Sequence, residues 1–385
     1  MIKIPQKIEY IIDVLEQNGY EAYIVGGCVR DMIMGKTPHD YDITTSALPE
    51  TVQGLFEKTV PTGIKHGTVT VIIDKTPIEV TTFRTDGNYN DSRHPANVNF
   101  VSSVKEDLSR RDFTVNAIAY NSSKGIVDYF GGMHDIKSSC LRAVGNPEER
   151  FREDALRILR LFRFASVLNF SCEKNTLNAA VEYSHLLEKI SRERIFSEIY
   201  KAVSGENFKV FESLISCGGL RFLKIIKAPD YNIIKNTESN ELALFSFLYF
   251  SSSDITETLN LLNTSNRLKS YCRNLSELTV KEIPKTKAEL KTMLCDYPPE
   301  QISDFLNFKK LLTNEDTFTS VKLLCEILEN NEPYLIRHLQ ISGDDLKSLG
   351  ISGNKIGVTL KRLQSMVINH PEKNIKEKLI KEILP

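Results

Sequence analysis

Hydrophobic periodicity changes character once along this chain, near residue 145, and that change limits the folds open to it. Before it, short runs rich in Val, Ile and Thr alternate with turn residues. They predict strands at 22–25 (AYIV), 40–44 (DYDIT), 68–73 (TVTVII), 78–83 (IEVTTF) and 97–101 (NVNFV), with helices between them. Ser103 and Glu106 stand at capping-box spacing and predict a helix start. From Pro147 onward, Leu, Ile and Phe recur at helical spacing, as in ALRILRLFRF and LLEKISRERIFSEIYKAV. The expected fold class is therefore α+β: an α/β head followed by an all-helical extension. With 385 residues, the chain has room for two to four domains.

Composition narrows the function classes. Apolar residues make up 41%, enough for a globular core, and the formal net charge is -1. There is no global basic field, so a nucleic-acid partner has to be gripped by local basic patches. The seven cysteines are scattered, without C-x-x-C or a His/Cys set at zinc spacing, which fits a reduced cytoplasmic protein. The first twenty residues form an amphipathic helix with Ile8, Ile11, Ile12 and Leu15 on one face. Glu9 and Asp13 interrupt it, so it does not read as a signal peptide. No run of about 18 apolar residues marks a membrane span.

The chemistry concentrates in YIVGGCVRDMIMGKTPHDYDITTSALP. A strand ends in Gly26-Gly27 and a helix opens at Val29-Arg30-Asp31, a turn at which backbone N–H groups can approach a phosphate. Asp40 and Asp42 follow. Alternate residues of a strand share a face, so both carboxylates are expected to point the same way and to hold Mg²⁺. Two such ions can activate an attacking hydroxyl and stabilise leaving pyrophosphate. Glu79, on a later strand, is the candidate third carboxylate.

Gly-Gly-x-Val-Arg-Asp followed by Asp-x-Asp resembles the head of the polymerase-β-type nucleotidyltransferases. Within them it is similar to the class II tRNA nucleotidyltransferases, or CCA-adding enzymes, and the bacterial poly(A) polymerases. Arg110-Arg111-Asp112-Phe113-Thr114-Val115-Asn116-Ala117 resembles the motif that handles the ribose and phosphates of the incoming nucleotide. Arg111 is a forked cation suited to a triphosphate, and Asp112 and Asn116 can bond sugar hydroxyls. Gly27 and Arg30 join this nucleotide-binding set by the same resemblance. Glu153-Asp154-x-x-Arg157 is similar to the nucleobase-reading motif. Asp154 and Arg157, three apart, are expected on one helix face, where an ordinary ion pair is the competing reading. Carboxylate accepts and guanidinium donates, which matches the amino group and ring nitrogen of C and A and mismatches U and G. Arg160 and Arg163 continue the series toward the triphosphate or the RNA backbone.

Further matches are weaker. Residues 84–95 (RTDGNYNDSRHP) are polar, lack periodicity and resemble the mobile loop that switches CCA-adding members from C to A; His94 stands where that loop carries an arginine. Ser191-Arg192-Glu193-Arg194 reads as a brace for the template helix. The glycine-spaced ISGDDLKSLGISGNKIGVTLKRL, with Gly350, Gly353 and Gly357, looks like the tail that holds the tRNA elbow.

The resemblance implies a mixed α/β polymerase-β-type head at 1–143 and a helical neck with the nucleobase-reading helix at 144–205. A helical body at 206–305 and a tRNA-binding helical tail at 306–385 complete it. It further implies Mg²⁺-dependent addition of C, C and A to the 3′ end of tRNA from CTP and ATP, in the cytoplasm and away from membranes. A homodimer is left open. The nearest alternative is a poly(A) polymerase or an A-only adding enzyme. More distant ones are transfer to a small molecule, or an RNA-binding protein with an inactive head. His39-Asp40 and His134-Asp135 lack the further histidines of an HD phosphohydrolase.

Overall fold

The structure, a computed structural model, describes residues 3–87 and 98–383. The chain divides into two compact units. The first holds Met1–Ala228 with Ser251–Ser253 and Leu261–Asn263, and the second holds the remainder. This division falls within the segment expected as the body.

The first unit is built on a seven-stranded mixed sheet. Its strands are β1 (Ala22–Val25), β2 (Asp42–Thr45), β3 (Thr59–Gly63), β4 (Thr68–Ile73) and β5 (Thr76–Thr82). A separate hairpin, β6 (Arg84–Asp86) with β7 (Val98–Phe100), precedes β8 (Ile118–Asn121) and β9 (Gly125–Asp128). The sheet order is β3-β4-β5-β2-β1-β8-β9. β2 runs parallel to β5 and antiparallel to β1. Helix α1 (Gln6–Gln17) buries Ile8, Ile11, Ile12 and Leu15, the face read from the sequence. Tyr23, Val25, Phe83, Val104, Leu108, Ala117, Ala119 and Val144 form one core cluster of this unit.

Several expectations need correction. β2 begins at Asp42, not Asp40. Its antiparallel partner β1 turns away at Gly26, just past Val25, which pairs with Asp42. On the other side, the register would set Asp40 against Pro77, which has no N–H to donate. Residues 84–86 of the presumed loop form strand β6. The helix after Ser103, α4 (Val104–Ser109), begins as expected, but the serine side chain makes no capping bond. Residues 88–95 of the switching-loop motif, His94 included, lie outside the described residues.

The helical part of the first unit includes α2 (Gly27–Ile33), α3 (Pro49–Leu55), α5 (Gly132–Lys137), α6 (Pro147–Glu153), α7 (Leu156–Leu168), α8 (Lys174–Glu182) and α9 (Arg192–Ala202). Pro147 sits at the first turn of α6, and the Asn146 side chain accepts from the Glu148 N–H, closing the helix start. All strands among the described residues lie in the first unit. The second unit is helical, with Leu339, Ile341, Leu346, Leu363, Val367 and Leu379 as one of its core clusters. There the tail glycines play different parts. Gly350 (φ 83°) and Gly353 (φ 59°) make the turn between Gly343–Ser348 and Asn354–Asn369, while Gly357 lies inside the second helix. No described helix is long and apolar enough to cross a membrane.

Candidate active site

The site forms where β1, β2 and β5 present their residues together. β1 ends in Gly26, whose φ of 81° and ψ of −133° belong to glycine, and α2 starts at Gly27. A Cβ at position 26 would meet the Arg111 Nη1 at 3.1 Å, so glycine is needed for space as well as for backbone. Beside this turn, Asp42 opens β2. The parallel register places Glu79 of β5 directly opposite it. Laterally paired residues face the same side of a sheet, so Glu79 shares a face with Asp42. Asp42 is exposed to solvent at the start of β2, yet partial desolvation by the surrounding protein and the Asp40 charge push its carboxyl up, with Arg111 opposing. Among the described residues no three His, Cys, Asp or Glu side chains converge at metal-holding spacing, so Glu79 is placed beside Asp42 without closing a three-carboxylate cluster.

A divalent cation suits what is present. Asp42 and Asp40 are hard oxygen donors whose mutual repulsion a cation would relieve. Mg²⁺ is commonly held by one or two carboxylates, with substrate phosphates and water completing its shell.

The Arg110–Asn116 segment is wired into the fold. Asp107, missed in the sequence, is fully buried and accepts from Thr44 Oγ1, the Arg84 backbone N–H, Arg110 and Arg111. Burial would raise its pKa, but Arg110 and Arg111 bring it below the ordinary value. Its signal was present as Asp107 set three and four residues before two arginines. Arg111 gives one Nη2 bond to Asp107 (3.3 Å), and its buried Nε has no partner. That orphan donor, with the positive charge near Asp42, is what an incoming phosphate could satisfy.

Arg30, Asn116, Asp112 and Arg160 form a continuous chain. Arg30 Nη1 donates to Asn116 Oδ1 (2.7 Å), and Asn116 Nδ2 donates to Asp112 Oδ1 (3.1 Å). Arg160 donates to Asp112 Oδ2 from Nε (2.8 Å) and Nη2 (2.6 Å). Arg30 also grips Asp31. Asp112 and Asn116 thus spend their bonds inside the protein, where sugar hydroxyls had been expected. Burial works to raise the Asp112 pKa, but the Arg160 charge and the bonds from Asn116, Arg160 and the Phe113 N–H hold it at about 2. A depressed folded-state pKa contributes stability above the unfolded value near 4 and loses it as pH falls toward 2. The expected contribution is on the order of 2 kcal/mol. Asp112→Asn should destabilise the first unit by about 3 kcal/mol at pH 7, because Arg160 loses its buried partner. It should also flatten the loss between pH 4 and pH 2. Denaturant titrations at both ends check this; an identical acid limb in the variant would contradict it.

The segment at 147–168 differs from expectation in one respect. It is not one helix. Asp154 adopts an extended conformation (φ −136°, ψ 103°) that separates α6 from α7, so Asp154 and Arg157 do not share a helix face. The cause is local: Asp154 Oδ1 accepts from the Leu156 N–H two residues on (3.0 Å), a bond that competes with helix continuation. Nor are the two residues paired with each other among the described residues. Asp154 Oδ2 takes Arg194 Nη2 (3.0 Å) from α9. Arg157 is buried and donates to Glu153 (2.6 Å), to the Arg150 carbonyl and to the Arg110 carbonyl. Arg163 pairs with Glu198 of α9. The Ser191–Arg194 region therefore touches this segment through Arg194, as a brace would. The sequence does not mark Glu153 and Glu198 as partners, although Glu153–Arg157 has a visible i,i+4 spacing.

The same architecture recurs in proteins of known sequence and structure. Residues 22–142 match the family model described as the poly A polymerase head domain, and residues 169–228 match that of a probable RNA and SrmB-binding site of polymerase A. The CCA-adding enzyme of Staphylococcus haemolyticus is 35% identical over 384 residues, covering 96% of this chain and 95% of that protein. The chain belongs to the CCA-adding enzyme family. The Enterococcus faecalis CCA-adding enzyme is 44% identical over 280 residues, covering 70% of this chain and 68% of its own length. A crystal structure of the Bacillus stearothermophilus CCA-adding enzyme in complex with CTP superposes with a TM-score of 0.84 at 30% identity, covering 98% of this chain and 97% of that one. The CCA-adding enzyme fold, a polymerase-β-type head with a helical extension, is thus the fold of this chain. The family's chemistry uses a divalent metal ion.

Proposed function

We propose that the chain adds C, C and A to the 3′ end of tRNA from CTP and ATP without a nucleic-acid template, releasing pyrophosphate at each step. The observation that carries this reading is the state of Asp154 and Arg157: each is held by other partners, not by the other. Asp154 retains unshared lone pairs, and Arg157 retains unused N–H donors, for the Watson–Crick edge of a base. The relatives and the CTP complex of the Bacillus stearothermophilus protein favour the same activity.

In this reading Asp40 and Asp42 hold Mg²⁺, with Glu79 beside them. When bound, the ion supplies positive charge for the departing pyrophosphate and lowers the pKa of the attacking ribose hydroxyl. Arg111, Arg160 and Arg163 fix the triphosphate, and Arg30 keeps Asn116 and Asp112 in place behind them. Gly27 keeps the backbone low at the turn. The four segments 1–143, 144–205, 206–305 and 306–385 act as head, neck, body and tail, the tail gripping the tRNA elbow. A homodimer and a cytoplasmic setting are compatible with this chemistry.

The test is a tRNA transcript lacking its 3′ CCA, incubated with each triphosphate alone and in combination, followed by sequencing of the product. CTP alone should yield two added C, CTP with ATP a completed CCA and then arrest, and UTP or GTP no addition. Unlimited A addition would overturn the reading in favour of the poly(A) alternative, and no C addition here together with a single A added to a second transcript ending in CC would overturn it in favour of the A-only alternative. The segment at 84–95 enters the same assay. Deleting 86–94 should spare both C additions and slow the final A by about 10²-fold, the cost of a misplaced reactant. An equal fall in C and A addition would make the segment merely structural.

A further inference from the structure

We infer that Phe164 is a positioning residue: its ring is the hub on which Arg160 and Arg163 are stacked so that their N–H donors stay available to a triphosphate, with Arg30 packed over the same ring behind them. The inference rests on the proposed nucleotide site and adds a residue to it.

The geometry is unusual for a core phenylalanine. Phe164 is buried on α7, and the guanidinium carbons of three arginines lie over its ring: Arg163 at 3.8 Å, Arg160 at 5.2 Å and Arg30 at 5.3 Å from the centroid. The Phe113 ring packs edge-on against it at 6.0 Å and 83°, which fixes its plane. Cations above an aromatic face are attracted by the ring quadrupole, and the attraction strengthens when water is excluded. Three like charges gathered this closely repel one another. Each has one carboxylate partner: Asp31 for Arg30, Asp112 for Arg160 and Glu198 for Arg163.

The choice of a phenyl ring has a chemical consequence. A guanidinium carries its donors on its rim and offers its flat face for stacking. A fourth carboxylate in the place of Phe164 would consume rim donors and compete with phosphate for them. The ring holds the cations without accepting a single N–H. Among the described residues, Arg160 donates only to Asp112, through Nε and Nη2, and Arg163 only to Glu198, through Nε. Arg160 Nη1 and both Nη groups of Arg163 are left over for a ligand. Burial and the neighbouring Arg160 also push the Arg163 pKa down, with Glu198 opposing. An arriving polyanion would relieve that strain.

The test keeps size and burial constant while weakening the quadrupole: mono-, di- and trifluorinated phenylalanine are incorporated at position 164 of the full chain. Steady-state constants for CTP and ATP on tRNA are measured beside a melting curve. KM should rise in step with fluorination, to about tenfold for the trifluoro form. The factor should be the same for both triphosphates, because the phosphates and not the base are being held. Turnover should stay near that of the unsubstituted protein, while the melting temperature falls modestly in step with fluorination because the ring also holds the three cations in the free protein. Phe164→Leu should give the same KM shift or a larger one. Arg163→Gln serves as the companion variant. A flat KM across the fluorinated series while Arg163→Gln raises it would overturn the hub and leave the nucleotide site standing. A flat KM in both would overturn the hub together with that site. A Phe164→Leu protein that melts lower at unchanged KM would make Phe164 a core residue and overturn the inference.

Discussion

Asp42→Ala is expected to lose about 10³-fold in turnover, roughly 4 kcal/mol of transition-state stabilisation, with the melting temperature unchanged or slightly higher. Two observations set the sign of each part. The Asp42 side chain makes no hydrogen bond among the described residues, so its removal leaves no orphaned partner. Its carboxyl is moreover raised by partial desolvation and by the Asp40 charge, a repulsion that the variant relieves. Asp42 is solvent-exposed, so its side chain contributes little to the fold, and it opens β2 directly opposite Glu79 and beside the Gly26 turn. Asp42→Asn keeps the shape, removes the charge and should behave alike. Initial rates with saturating tRNA and CTP in Mg²⁺, measured beside thermal melting, check this. Undiminished turnover in either variant would remove Asp42 from the metal site.

Much of the head can be read directly from the sequence. The strands at 22–25 and 68–73 appear at their predicted bounds because each is a compact β-branched run with turn residues at both ends. Several strands are not legible in the sequence, two of them for opposite reasons. Residues 118–121 are buried throughout, so no alternation marks them. Residues 59–63 contain Pro61, which argues against a strand until the sheet order places β3 at the edge, where a missing N–H costs little.

The residues of the candidate site can be picked out of the sequence, but their wiring cannot. Asp40, Asp42, Glu79, Arg111, Asp154 and Arg157 stand out by type and spacing. Nothing in the sequence says that Asp112 belongs to Arg160, 48 residues away, or Glu198 to Arg163. Such pairings are decided by how α7 packs on its neighbours. The break at Asp154 was hidden for a different reason. Its flanks are good helix formers, and the one signal for the break, an aspartate able to accept from the N–H two residues on, is masked by the i,i+3 spacing to Arg157.

Loss of base selectivity in the Asp154 and Arg157 variants is the second large effect expected. C and A each present an amino donor beside a ring-nitrogen acceptor, whereas U and G present a carbonyl beside an N–H. Asp154 accepts and Arg157 donates, so only the first pair finds both bonds. An ion pair between the two residues would consume these groups. Instead, Arg194 steadies Asp154 and Glu153 steadies Arg157, leaving both with capacity to spare. By analogy with base-edge reading in DNA, a good bidentate contact contributes about 1–3 kcal/mol of discrimination, roughly 10- to 100-fold. Arg157→Ala should also melt lower, because it removes buried bonds to two carbonyls and to Glu153. Stability alone therefore cannot decide its role. The decisive measurement is kcat/KM for CTP, ATP, UTP and GTP in the unsubstituted protein, Asp154→Ala and Arg157→Ala. If protein side chains choose the base, the CTP-to-UTP ratio falls by about 10- to 100-fold in each variant as CTP use drops toward that of UTP. A ratio unchanged in both, accompanied only by a lower melting temperature, would mean that the base is read elsewhere.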